Sequence, residues 1–203
     1  MHLFSQAHNK GTFSFQLNYQ TGLHKTIYES TYYGNLVDRD TSAALTSLFN
    51  FTAQYNFIKP FSAGINFSSG RYIEDPEDAE ADGNKVNTLS LDLRAYLVNK
   101  EKFNWFLSLD YGIANLEINR IYTFITSFRY KYLFKSPHFS LYTGFNWYFA
   151  KFIGMNFQLG YSGHNFLMNK LWINGDEQDI SNLKNTLQAT GVNIRLGLSI
   201  KIN

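Results

Sequence analysis

The chain has 203 residues, a formal net charge of +2 and no cysteine, and its aromatic residues (18%) outnumber its charged ones (17%). That length makes one domain. The small net charge, with no Lys/Arg-rich run, excludes a nucleic-acid binder, and without cysteine neither a disulfide framework nor a thiolate metal site can form. No apolar run reaches the roughly 18 residues that a transmembrane helix needs. A membrane protein built without such a run must be a closed barrel, because every backbone polar group in lipid needs a partner. The high aromatic and low charged content suits the aromatic girdles of such a barrel.

Residues 1–11 form a lead-in. Leu3-Phe4-Ser5-Gln6-Ala7 carries small residues at the spacing of a secretory cleavage site, but the charged and apolar regions that should precede it are missing. It therefore reads either as a trimmed signal remnant or as a polar lead-in. From residue 12 the period is two. A first strand over 12–20 turns Phe13, Phe15, Leu17 and Tyr19 one way and Ser14, Gln16 and Asn18 the other. Residues 21–40 are polar and too long for a tight turn. The hairpin over 41–70 then sets Phe49, Phe51, Tyr55, Phe57, Phe61, Ile65 and Phe67 against Asn50, Thr52, Gln54, Asn56, Ser62 and Asn66, with Lys59 as its one charge. A soluble sheet would carry Lys and Glu on its polar face. Asn, Gln, Ser and Thr suit instead the hydrogen-bonded lumen of a narrow barrel whose apolar face meets lipid.

Residues 74–85 read as a loop. Strands over 86–98 and 103–114 follow, joined by a short turn, and three more over 139–148, 153–162 and 187–202 alternate as cleanly. The stretch 115–138 fits a helical and a strand period about equally well. Reading it as a loop gives eight strands, an even number, with short turns at one end and four long loops (21–40, 74–85, 115–138, 163–186) at the other; reading it as a strand gives ten. The eight-strand count is the expectation, with 115–138, which carries Arg120, Arg129, Lys131 and Lys135, serving as a lid, an interfacial helix or a docking surface. The fold class is thus all-β, an antiparallel up-and-down transmembrane barrel over 12–203.

This arrangement resembles the small eight-stranded outer-membrane barrels of the OmpA/OmpX/OmpW type, and most of all the aromatic- and asparagine-rich barrels of Bacteroidota. The closing strand, 191–203, is similar to the C-terminal strand that barrel-assembly machinery reads in such proteins. It ends in Ile202-Asn203 where those usually end in an aromatic residue. The resemblance implies a bacterial outer-membrane location with both termini periplasmic, and contact with outer-membrane lipid, lipopolysaccharide, the assembly machinery and a partner outer-membrane protein.

Four sets of residues could carry chemistry. Asp78, Glu80 and Asp82 before Gly83 match the first half of a calcium loop, yet the bidentate acid expected at its last position is Leu89, so a solvated loop is the plainer reading. Gly160-Tyr161-Ser162-Gly163-His164 falls one residue short of a nucleophile elbow. Ser162, His164, His24 and Ser30 are expected near the outer rim, with no base positioned on a nucleophile. Trp105, Trp147, Tyr148, Phe149 and Phe152 read as an interfacial girdle. Finally, Asp92, Arg94, Asp110, Arg195 and Lys201 all point inward, and an arginine from one wall of so narrow a barrel can reach a carboxylate on another. The expected function is non-enzymatic and cofactor-free: a structural or binding component. A lipid-A-modifying barrel enzyme and a soluble calycin-like barrel with an apolar ligand are the alternatives.

Overall fold

The computed structural model describes residues 8–75, 83–123 and 127–202. Among them nine strands form one antiparallel sheet: β1 (Phe13–Tyr32), β2 (Asn35–Ile58), β3 (Phe61–Ile73), β4 (Lys85–Lys100), β5 (Phe103–Thr123), β6 (Ser127–Tyr148), β7 (Ile153–Ile173), β8 (Asp176–Glu177) and β9 (Leu183–Ile202). Each strand from β1 to β6 pairs with the next, β6 pairs with β7, β7 with β9, and β9 with β1. Eight strands therefore close a ring, and β8 is a two-residue addition to β7. Closure leaves no free edge within the wall, the condition for a sheet to sit in lipid.

The period-two alternation decides which side faces in. Along β5, Phe103, Trp105, Leu107, Tyr111 and Ile113 are exposed on the outside, while Asn104, Ser108 and Asp110 are buried within. Polar groups thus point in and apolar groups out, the reverse of the soluble calycin-like arrangement. Higher on the same strand the polarity inverts: Ala114 and Leu116 are buried inside, while Asn115 and Glu117 are turned outward. The neighbouring strands do the same. Leu48, Tyr72, Val86, Ala114, Leu116, Phe134, Phe166, Met168 and Leu187 form one buried apolar cluster. A strand of about 9–11 residues crosses the hydrocarbon, whereas β1, β5, β6 and β7 are 20, 21, 22 and 21 residues long. The lower half of the barrel is dressed for lipid, and the upper half packs its interior as a water-soluble β-sandwich does.

That inversion corrects several expectations. Residues 115–123 and 127–138 are neither a loop, nor a lid, nor an interfacial helix: they are the continuations of β5 and β6, paired from Thr123↔Ser127 downward, while 124–126 lie outside the described residues. They add no strand to the ring, because residues 130–135 of β6 pair with 167–173 of β7, itself a continuation. Likewise 21–40 is a hairpin whose tight turn uses the positive φ of Tyr33 (48°) and Gly34 (80°), and 163–186 is mostly β7 and β9. In each case the run of outward apolar residues thins while the strand goes on, with Leu23, Ile121 and Leu167 still exposed among polar neighbours. Between β6 and β7 the register shifts at Leu133/Phe134, and pairing lapses around Pro137, which has no N–H to give. The Asn165 backbone N–H is satisfied instead by Ser136 Oγ at 2.7 Å.

The short-turn end is corked by His8. Its ring lies between Asn56 Oδ1 (3.3 Å) and Tyr148 Oη (3.0 Å), stacks on Tyr96, and its backbone is clasped by the Asn99 amide. Burial, reinforced by the charges of Lys201 and Arg94 and opposed by the Asn56 hydrogen bond, pushes its pKa down to about 3.

Two outcomes are expected. Leu91→Arg or Phe51→Arg sets a cation against the lipid-facing wall and should cost about 2–4 kcal/mol of stability in bilayers; parent-like resistance of both variants to denaturant would show that the faces are misassigned. Because the folded pKa of His8 lies below its usual 6.5, only the unfolded state gains a proton as pH falls through 6.5. The stability contributed by docked His8 is therefore whole above that pH and lost progressively towards pH 3, at up to about 1.4 kcal/mol per pH unit. His8→Asn should flatten this part of the acid-side slope in urea titrations, and identical slopes for variant and parent would refute it.

Candidate functional site

The lower interior is filled by side chains that the alternation points inward from every wall. Asp92 on β4 and Asp110 on β5 are register partners, so two carboxylates share one level of a narrow lumen. Each is held by an arginine. Arg94, two residues along β4, forks onto Asp92, with Nη2 at 2.6 Å from Oδ2 and Nε at 3.1 Å from both oxygens. Arg195 reaches over from β9 to donate to Asp110 Oδ2 at 3.1 Å, and Asn66 donates to the same oxygen at 2.9 Å. All four charged side chains are at most 1% exposed.

Amides join the two pairs into one network. Arg94 donates to Gln16 Oε1 at 2.9 Å, and Gln158, which donates to that same oxygen at 3.3 Å, accepts from Arg195 at 3.4 Å. Gln16 and Gln158 run on to Asn146 and Asn156, and Arg195 Nε donates to Gln20 at 2.7 Å. The guanidinium faces rest on rings, Arg94 4.6 Å from the Phe106 centroid and Arg195 3.9 Å from that of Tyr142. Gly160 makes this stacking possible, since a Cβ there would strike the Tyr142 ring. Lys201 stands apart from the carboxylates: it donates to the Glu101 carbonyl at 3.1 Å and lies over Tyr148 near the base. The glutamines and asparagines of the network carried a sequence signal, an inward face of amides almost without charge. His8, in a lead-in with no periodicity, carried none.

Above the network lie the histidines. His24, His138 and His164, with Gln20, Asn193 and Arg195, line a pocket of about 20 Å³, room for about one water. His24 and His138 are buried inside the barrel, His138 stacks on His164, and Ser162 accepts from Asn193 at 2.7 Å. His24, Ser162 and His164 are thus lumen residues and not the rim groups that the sequence suggested. A serine–histidine contact that the sequence reading missed, Ser140 Oγ to His138 Nε2 at 3.0 Å, is sealed in the same place. The Nδ1 atom of His138 has no hydrogen-bond partner, so no carboxylate orients the ring as a base. Tyr148 belongs to the lumen, whereas Trp105, Trp147, Phe149 and Phe152 are exposed at the base as a girdle would be. The calcium-loop residues Asp78, Glu80 and Asp82 lie outside the described residues, and among the described residues no group of three His, Asp or Glu is placed to hold a metal ion.

No family model matches the chain, and no curated protein does. Among solved structures it is similar to the outer membrane protein OprG from Pseudomonas aeruginosa, at 16% identity over 97% of this chain and 98% of that one, with a TM-score of 0.58. It is also similar to the outer membrane protein AlkL determined in lipid bilayers, at 9% identity over 98% and 93% of the two chains, with a TM-score of 0.52. At these identities the likeness is one of fold, and the fold is that of a small outer-membrane β-barrel.

Proposed function

We propose that the protein is a non-catalytic component of the bacterial outer membrane, a closed barrel that serves a structural or binding role, with both termini on the periplasmic side and its extended hairpins at the cell surface. The observation that carries this reading is the tied interior: two buried arginine–carboxylate pairs joined by amides across the lumen. A pore needs a continuous aqueous path, and a catalyst needs a reachable nucleophile beside an oriented base. Here the charged level is filled, and above it the apolar cluster of Leu116, Phe134, Phe166 and Leu187 fills the upper barrel. The termini share the end whose hairpins close right at the apolar belt, as Phe13 pairs with Ile202, whereas the hairpins at the other end run on past it. Short turns with the termini are the periplasmic end of such barrels. The upper hairpins then meet lipopolysaccharide, a surface ligand or a partner membrane protein, and insertion would use the assembly machinery for outer-membrane barrels.

Reconstituted in planar bilayers, the protein should show no steady ion conductance, and a stable open channel would overturn the reading. The network should also dominate the stability of the lower barrel. Asp110→Asn or Arg195→Gln leaves one buried charge unpaired and should cost about 3–5 kcal/mol in denaturant titrations, less any relief from water entering the lumen. Removing both partners together should cost less than the two single changes summed. Parent-like stability of both single variants would show that the pair contributes nothing.

A further inference from the structure

Charge is divided unequally between the two ends of the barrel. At the end where β1 begins and β9 finishes, the one acidic side chain is Glu101; every other Asp or Glu is either Asp92 or Asp110 of the lumen or falls within the extended hairpins and the connections of the far end. The same end carries six lysines. Lys59, Lys100, Lys102 and Lys151 are exposed at its three turns. Lys10 is exposed on the short segment that leads from His8, docked in the mouth, to the start of β1, and Lys201 lies over the Tyr148 ring inside the mouth. Residues 1–7 and Asn203 add no acidic side chain, and a carboxyl terminus there still leaves the amines well in excess. Among the described residues none of these six amines is ion-paired, whereas cations of the upper barrel are: Arg39 with Glu29 at 3.3 Å, Lys131 with Glu117 at 2.9 Å and Lys170 with Glu177 at 3.0 Å. Like charges gathered on one face repel one another and raise the local concentration of anions.

We propose that this end of the barrel is a docking face for an acidic polypeptide segment of a periplasmic protein, its carboxylates received by Lys10 at the mouth and by Lys59, Lys100, Lys102 and Lys151 around it. The placement of the charge selects a partner that approaches end-on. Lipid touches only the outside of the wall, so a headgroup meets the amines of the turns and not those of the mouth. Lys10 and Lys201 carry the positive charge across the mouth itself, which the docked His8 closes. A small anion would engage one or two amines and leave the others unanswered, whereas a chain bearing several carboxylates answers them together. Each such ion pair stays exposed to water and contributes little, so affinity requires several at once and falls as salt rises. The proposal rests on the outer-membrane reading, which puts this end in the periplasm.

The test uses the full chain in phosphatidylcholine nanodiscs, which leave both ends open to solution, with a fluorescent oligoglutamate peptide as the probe and oligoglutamine as the comparison. One variant combines Lys59→Gln, Lys100→Gln, Lys102→Gln and Lys151→Gln; a second carries Lys10→Gln alone. The control combines Lys25→Gln, Lys135→Gln and Lys184→Gln on the upper barrel. Parent and control should bind oligoglutamate and not oligoglutamine, and raised salt should release it. The four-lysine variant should bind about tenfold more weakly or worse, and Lys10→Gln about twofold more weakly. Absence of binding by the parent, or equal binding by parent and four-lysine variant, overturns the proposal. Parent-like binding by Lys10→Gln shows that the mouth takes no part and overturns the end-on face. Loss of oligoglutamate binding when phosphatidylglycerol is added to the discs assigns the amines to anionic lipid and also overturns it. Orientation is scored apart from binding, in intact cells: a membrane-impermeant maleimide should label Asn35→Cys and spare Lys59→Cys, and the reverse pattern contradicts the outer-membrane reading instead.

Discussion

Everything in this molecule follows from one constraint: a backbone placed in hydrocarbon must pair each of its N–H and C=O groups with itself. An open sheet cannot meet it, and eight strands closed through β9–β1 pairing do. Closure at that size leaves an interior only wide enough for side chains, so the lumen becomes a core made of polar groups. Once the core is polar, it too must be satisfied internally. The Asp92–Arg94 and Asp110–Arg195 pairs, bound together through Gln16 and Gln158, are the solution found. Rings of Phe106 and Tyr142 cover the guanidinium faces and Gly160 yields the space for one of them.

The same constraint explains why the barrel changes character halfway up. Where the wall leaves lipid, water can solvate its outer face, and an apolar interior becomes the cheaper filling. Leu116, Phe134, Phe166 and Leu187 pack inside at that level, and outward positions pass to Lys25, Arg71, Lys85 and Lys135. The histidines 24, 138 and 164 line the pocket between the polar network and the apolar cluster. The ring of pairing continues past this boundary on β5, β6 and β7, so the surface hairpins are stiff extensions of the wall.

The lower barrel was legible in the sequence because lipid imposes the plainest of patterns there: one apolar face, one face of amides and hydroxyls, period two. The inward carboxylates and arginines could be read by counting residues from the short turns, since Asp92 and Asp110 sit opposite each other only if the 99–102 turn fixes the register. The upper barrel was not legible by that rule. Tyr130, Tyr132 and Phe134 face in, while Arg129, Lys131 and Lys135 are partly or wholly exposed, so a search for outward apolar residues ends each strand too early. The register shift at Leu133/Phe134 places its extra residue, Asn169, on β7, while β6 keeps a period of two through Phe134, Ser136 and His138. Tyr148 deceived for another reason: a tyrosine among exposed aromatics at the base reads as girdle until its hydroxyl is seen on His8 and Ser199.

The central claim is that the inversion of polarity marks the edge of the membrane. The chain has no cysteine of its own, so spin labels can be placed one at a time along the outer face of β5, at 107, 109, 111, 113, 117 and 119, and their collision rates with oxygen and with a water-soluble nickel chelate measured in bilayers. The account predicts oxygen-rich, nickel-poor labels through Ile113 and nickel-accessible labels from Glu117 upward. Labels equally open to the nickel chelate along the whole series, or buried in lipid through position 119, would contradict it.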